Sequence, residues 1–122
     1  MSGITAVHLG ESGAKVATLH EGLIFLIRNQ RGMVKQTRTA MEKQLAPDLV
    51  AKTFGTATAG LVGIFQYQIR KREKDIPKEV KAKFAHLPLL PLDAGTGNGD
   101  VDDLTAEALN WLVAEARAHA GK

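Results

Sequence analysis

Val16, Leu19, Leu23, Leu26 and Ile27 recur at spacings of mostly three and four, the apolar stripe of an amphipathic helix. The glycine-bounded turn Gly10 to Gly13 precedes them, so the pattern predicts a first helix from about Ala14 to Asn29. Residues 30–47 reverse the balance. Good helix formers such as Gln36, Arg38, Ala40, Glu42 and Lys43 surround only Met33, Met41 and Leu45, which predicts a second, short helix with weak packing. Pro47 is expected to break it or to open a new turn, with Asp48 to Lys52 as one further helical turn ending at Phe54-Gly55.

Beyond Gly55, Thr56 or Thr58 is placed to cap a central helix whose core stripe is Leu61, Ile64, Phe65 and Ile69. That helix runs into a basic stretch and should stop near Ile76, before Pro77. Val80 and Phe84 allow another short turn, Pro88 and Pro91 impose extended backbone on Leu87 to Leu92, and the glycines of Asp93 to Asp100 mark a loop. A last helix is capped by Asp102 or Asp103 and carries Leu104, Ala108, Trp111, Leu112 and Ala116 on one side. No alternating run reaches strand length, so the fold class is all-α, with a short extended pairing allowed near Ile4 to Val7 or Leu87 to Leu92.

The chain has 122 residues, 44% of them apolar, which fits one domain around one core. With no cysteine, disulfides, thiolate metal sites and cysteine nucleophiles are excluded. Met1 to Gly10 shows neither a basic n-region nor a long apolar run, and Leu23 to Ile27 is far below the roughly 20 residues of a membrane span. The sequence therefore reads as soluble and without a cleavable signal; it assigns no compartment. Charge is unevenly spread: residues 28–43 and 70–83 carry an excess of Lys and Arg, whereas Asp93 to Lys122 is acidic. Such clusters either steer a polyanion or form the solvated faces of two helices.

Enzymatic signatures fail residue by residue. His20-Glu21 begins like a zinc helix, but Ile24 stands where the second imidazole belongs. Gly95 and Gly97 open like a dinucleotide loop that Asp100 does not complete. Asn98, Asp100 and Asp102 have the first oxygen spacings of a calcium loop, while Asp103 replaces its glycine and Leu109 its bidentate glutamate. Ser12 lacks the last glycine of a nucleophile elbow, and His8, His20, His86 and His119 are scattered and read as surface or packing residues. No catalytic constellation, metal or cofactor is expected.

Three segments carry a family resemblance: Leu9-Gly-Glu-Ser-Gly13 leading into Val16, Leu19 and Leu23; Phe54-Gly-Thr-Ala-Thr58 leading into Phe65-Gln66; and Gly99-Asp-Val101-Asp-Asp-Leu-Thr105 leading into Ala108-Leu109. In this order, over about half of the chain, they resemble the peptidoglycan-binding-like domain, a three-helix module often attached to cell-wall hydrolases. The second and third also echo one another, each placing an apolar residue just before a helix and a threonine in its first turn. The resemblance implies one domain over residues 1–122: a compact three-helix core, with extra short helices in insertions at about 30–52 and 67–98. Long-inserted versions of this kind stand at the N-termini of large toxin-like or secreted proteins.

The implied function is non-catalytic binding of bacterial cell-wall peptidoglycan. Its stem-peptide carboxylates and amides and its sugar faces suit amide and guanidinium donors beside an aromatic platform. Gln66, Tyr67 and Arg70, on or just past the central helix, are the candidate ligand residues, although Gln66 also suits a buried bracing amide and Tyr67 a lid on the core. The alternative is an adapter that presents the basic insertions to a protein of a toxin or secretion assembly. Sparse aromatics and the acidic tail argue against nucleic acid.

Overall fold

The computed structural model describes residues 3–29, 35–71, 78, 79, 82 and 98–120. Among the described residues four helices are delimited: α1 (Ala14–Asn29), α2 (Lys35–Ala51), α3 (Thr56–Lys71) and α4 (Asp103–Ala120). The expected all-α class is what the structure has. α1, and not α3 as expected from the sequence, lies at the centre and packs on the other three, because its stripe of Val16, Leu19, Leu23, Leu26 and Ile27 is sealed from solvent. α3 contributes Leu61, Val62, Phe65 and Ile69 to the same interior, and α4 contributes Ala108, Leu109, Leu112, Val113 and Ala116. Leu19, Phe65 and Leu112 therefore share one core cluster, and Ile64, Leu104 and Trp111 pack at its margin.

The structure corrects the reading of the first insertion. Instead of a short helix, a break at Pro47 and one extra turn, α2 is a single helix with Pro47 inside it. Pro47 and Lys43, whose carbonyl loses its helical partner, are both exposed, so water can take up that oxygen. The buried stripe Met41, Leu45 and Asp48, at spacings of four and three, continues across the proline and anchors the helix on both sides of it. α2 ends in a Schellman closure: Thr53 N donates to the Asp48 carbonyl at 3.3 Å, around Lys52 with φ of 57°.

An N-terminal strap ties the bundle together. Asn110 of α4 grips the Ile4 backbone twice, Oδ1 accepting from Ile4 N at 2.8 Å and Nδ2 donating to its carbonyl at 2.9 Å. Val7 then pairs antiparallel with Val101, before α4, and Gly10 N donates to the Phe54 carbonyl at 2.8 Å, before α3. The short extended pairing allowed near Ile4 to Val7 thus exists as the isolated Val7–Val101 bridge. The alternative location, Leu87 to Leu92, lies outside the described residues, as do the Val80 and Phe84 turn and most of the basic stretch after Lys71. Among the described residues, no helix is long and apolar enough to cross a membrane.

Candidate functional site

Both peripheral helices begin in the same way, and this sets the chemistry beside α1. At α4 the N-cap is Asp102, whose Oδ1 accepts from Thr105 N at 2.7 Å while its carbonyl accepts from Ala106 N. At α3 the equivalent position is Gly55, which has no side chain, so neither Thr56 nor Thr58 acts as the N-cap. Asp48 of α2 supplies the carboxylate instead, accepting from Thr58 N at 2.7 Å, Gly55 N at 3.0 Å and the Thr58 hydroxyl at 2.5 Å, all through Oδ2. A Cβ on Gly55 would stand 2.5 Å from Asp48 Oδ1, so the absent side chain is what admits the carboxylate.

The Thr58 hydroxyl also meets Nε2 of His20 at 3.0 Å. A carboxylate only accepts, so the single hydroxyl hydrogen of Thr58 goes to Asp48 and His20 Nε2–H must donate to Thr58. The result is a buried line of His20, Thr58 and Asp48, with the ring tautomer fixed by its far end. Burial lowers the His20 pKa below its ordinary 6.5, opposed by the charge of Asp48.

His20 also forms part of the wall of a cleft of about 1060 Å³ between α1 and the end of α2. Small residues open it: Gly13 before α1, Ala14 and Ala17 on α1, and Ala51 at the end of α2. Ile24, Phe25 and Leu49 give it apolar walls, and Ser12, Glu21, Arg28 and Lys52 supply polar groups. Arg28 Nε is bound to Glu42 Oε1 at 2.7 Å, joining α1 to α2 beside the cleft. The Arg117 guanidinium stands 5.6 Å from the Phe25 ring centroid.

Of the residues singled out from sequence, Gln66 and Tyr67 lie elsewhere. Gln66 is sealed in the core, where Nε2 donates to Thr105 Oγ1 at 2.9 Å and to the Asp100 carbonyl at 3.0 Å and Oε1 accepts from Gly99 N at 3.0 Å. Its amide braces the loop before α4, so it offers a ligand nothing in this arrangement. Tyr67 is half-buried on α3, and the side chain of Arg70 lies outside the described residues. Neither Gln66 nor Tyr67 is among the residues that line the cleft. The calcium-like spacing also disperses: Asn98 Oδ1 accepts from Asp100 N, Asp100 Oδ1 meets His8 Nδ1 at 2.6 Å, and Asp102 caps α4. Among the described residues no three His, Asp or Glu side chains gather as a metal site.

Sequence reasoning missed His20 and Asp48. His20 carried a readable signal, since it stands four residues after Val16 and three before Leu23, within the core stripe. Asp48 carried only its spacing from Met41 and Leu45, because its partners belong to another helix. Compared with family models, curated proteins and solved structures, the chain finds no match in any of the three.

Proposed function

We propose that the chain is a non-catalytic binding module for bacterial cell-wall peptidoglycan, with the cleft between α1 and the end of α2 as its ligand groove. The observation that carries this reading is the cleft itself: apolar walls of Ile24, Phe25 and Leu49, with polar groups on the helices that frame it. Stem peptides combine methyl side chains with amides and carboxylates, and such a surface matches that mixture. The resemblance of the Gly13, Phe54 and Val101 segments to the wall-binding module supports the same ligand.

Sedimentation with purified sacculi tests the reading. The native protein should pellet with the wall. Ala17→Arg, which fills the cleft from an exposed position on α1, should weaken pelleting by about tenfold, as expected when a ligand's buried surface is displaced. Arg70→Ala is the companion variant: a loss there, with Ala17→Arg unaffected, moves the site to the end of α3. Absence of native protein from the pellet ends the wall reading and favours an adapter that binds a protein of a toxin or secretion assembly.

A further inference from the structure

We infer that His20 makes the cleft selective for a neutral carboxamide over a carboxylate of the same shape. The inference rests on the cleft being the ligand groove and names the chemistry that groove prefers. Thr58 and Asp48 hold the ring proton on Nε2, so the neutral ring carries a lone pair on Nδ1. No hydrogen bond to Nδ1 is made among the described residues, and Nδ1 is not a sealed, unpaired atom. Because His20 lines the cleft and Nε2 is engaged by Thr58, Nδ1 is the ring nitrogen available to a ligand there.

A lone pair fixed in an apolar wall accepts a donor and repels another acceptor. A ligand carboxylate would set its own lone pairs against Nδ1 and lose water in exchange for no hydrogen bond. A carboxamide places N–H on Nδ1 and turns its carbonyl oxygen toward donors such as the Ser12 hydroxyl or Lys52 ammonium. A sugar fits this wall less well, because its several hydroxyls each need a partner and Ile24, Phe25 and Leu49 supply none. Asp48 lies behind Thr58 from the ring, and the charged groups that line the cleft are Glu21 on α1, Arg28 held by Glu42, and Lys52 at the end of α2. Burial keeps the ring neutral at slightly alkaline pH, where the acceptor is available.

The test follows the His20 ring nitrogens by 15N NMR at pH 8 in the unmodified protein. Two probe pairs are titrated: muramoyl dipeptide ending in D-isoglutamine against its D-glutamate counterpart, and hexanamide against hexanoate. In at least one pair the amide should move the Nδ1 resonance upfield and bind about tenfold or more tightly than the acid, the size of one mismatched buried hydrogen bond. Below the midpoint of the His20 titration, read in the same spectra, the protonated ring donates from both nitrogens and that preference should collapse. Equal affinity of amide and acid in both pairs, or an unmoved Nδ1, overturns the inference. If both muramoyl compounds bind equally and hexanamide shows no advantage, the wall reading stands while the selectivity falls. If only hexanamide shows the preference and sacculi do not retain the protein, the selectivity stands and the wall reading falls.

Discussion

The Asp48 carboxylate caps a helix to which it does not belong, with Oδ2 2.7 Å from Thr58 N, as Asp102 caps Thr105 within its own segment. In both places a buried apolar residue, Phe54 or Val101, precedes the helix, and a buried threonine in the first turn bonds a polar side chain from another helix. The N-terminal strap crosses both starts, pairing Gly10 with Phe54 and Val7 with Val101. Two similar helix starts clamped by one strap help hold the described helices together without a disulfide. The difference between them, a cap borrowed from α2, also locks α2 to α3 next to the cleft.

Asp48 and Gly55 should behave as a coupled pair. Asp48→Ala leaves two amides and the Thr58 hydroxyl without their acceptor and should cost about 3 kcal/mol, summing a lost cap and unmet buried donors. Gly55→Ala puts a Cβ against a carboxylate held by three bonds and should cost about 2 kcal/mol. In the Asp48→Ala background the same glycine substitution should cost close to nothing, since the obstructing oxygen is gone. Urea denaturation of the four proteins measures the coupling; an equal Gly55→Ala cost in both backgrounds would show that the two groups do not compete for space.

Gln66 should act on stability and leave ligand binding alone. Gln66→Leu keeps the volume but strands the Thr105 hydroxyl, the Asp100 carbonyl and the Gly99 amide, at a cost of about 3 kcal/mol. Hydrogen exchange at Gly99 should accelerate while exchange in α1 falls only with global stability. Gly99→Ala should be at least as damaging, because φ is 82° and a Cβ would lie 2.5 Å from the Ala59 carbonyl oxygen. A folded Gln66 variant that loses sacculus binding at full occupancy of the native state would return Gln66 to the ligand site.

What the sequence made legible follows from range of interaction. The limits of α1 were readable because Gly13 and an unbroken apolar stripe define them within one segment, and the Asp102 cap was readable because donor and acceptor are three residues apart. The continuity of α2 was not, since local chemistry at Pro47 argues for a break and only the buried stripe Met41, Leu45 and Asp48 overrules it. The site was less legible still. His20 meets Thr58 across 38 residues, and the cleft arises where small side chains, Ala14 and Ala17, stand on the solvent side of α1. Gln66 drew notice for its amide, which the fold spends inside on Gly99 and Thr105.

The pKa values of His8 and His20 should be shifted in opposite directions. The hydrogen bond and charge of Asp100 raise the His8 pKa above 6.5, so the stability it contributes is present below 6.5 and is lost as pH rises through the folded value. Burial lowers that of His20, so the unfolded state takes up its proton first. Stability on this account is full above 6.5 and declines as pH falls below it, until the folded ring is also protonated. NMR titration of the two Cε1 protons should give a His8 midpoint above 6.5 and a His20 midpoint below it. The reverse order would mean that neither the Asp100 pair nor the buried Thr58 contact persists in solution.

Lys52 should trade stability against binding. It occupies the left-handed position of the Schellman closure, with φ of 57°, where a side chain costs about 1 kcal/mol relative to glycine. It also borders the cleft proposed as the ligand groove. Lys52→Gly should therefore raise unfolding stability by about 1 kcal/mol, because the closure depends on the backbone from Asp48 to Thr53 and not on the lysine side chain. The same variant should weaken sacculus binding, and more so at low salt, where an exposed cation attracts a polyanionic wall most strongly. Denaturation and sedimentation on one preparation separate the effects: a stabilised variant with unchanged wall affinity would remove Lys52 from the ligand surface and leave its strained backbone without a binding role.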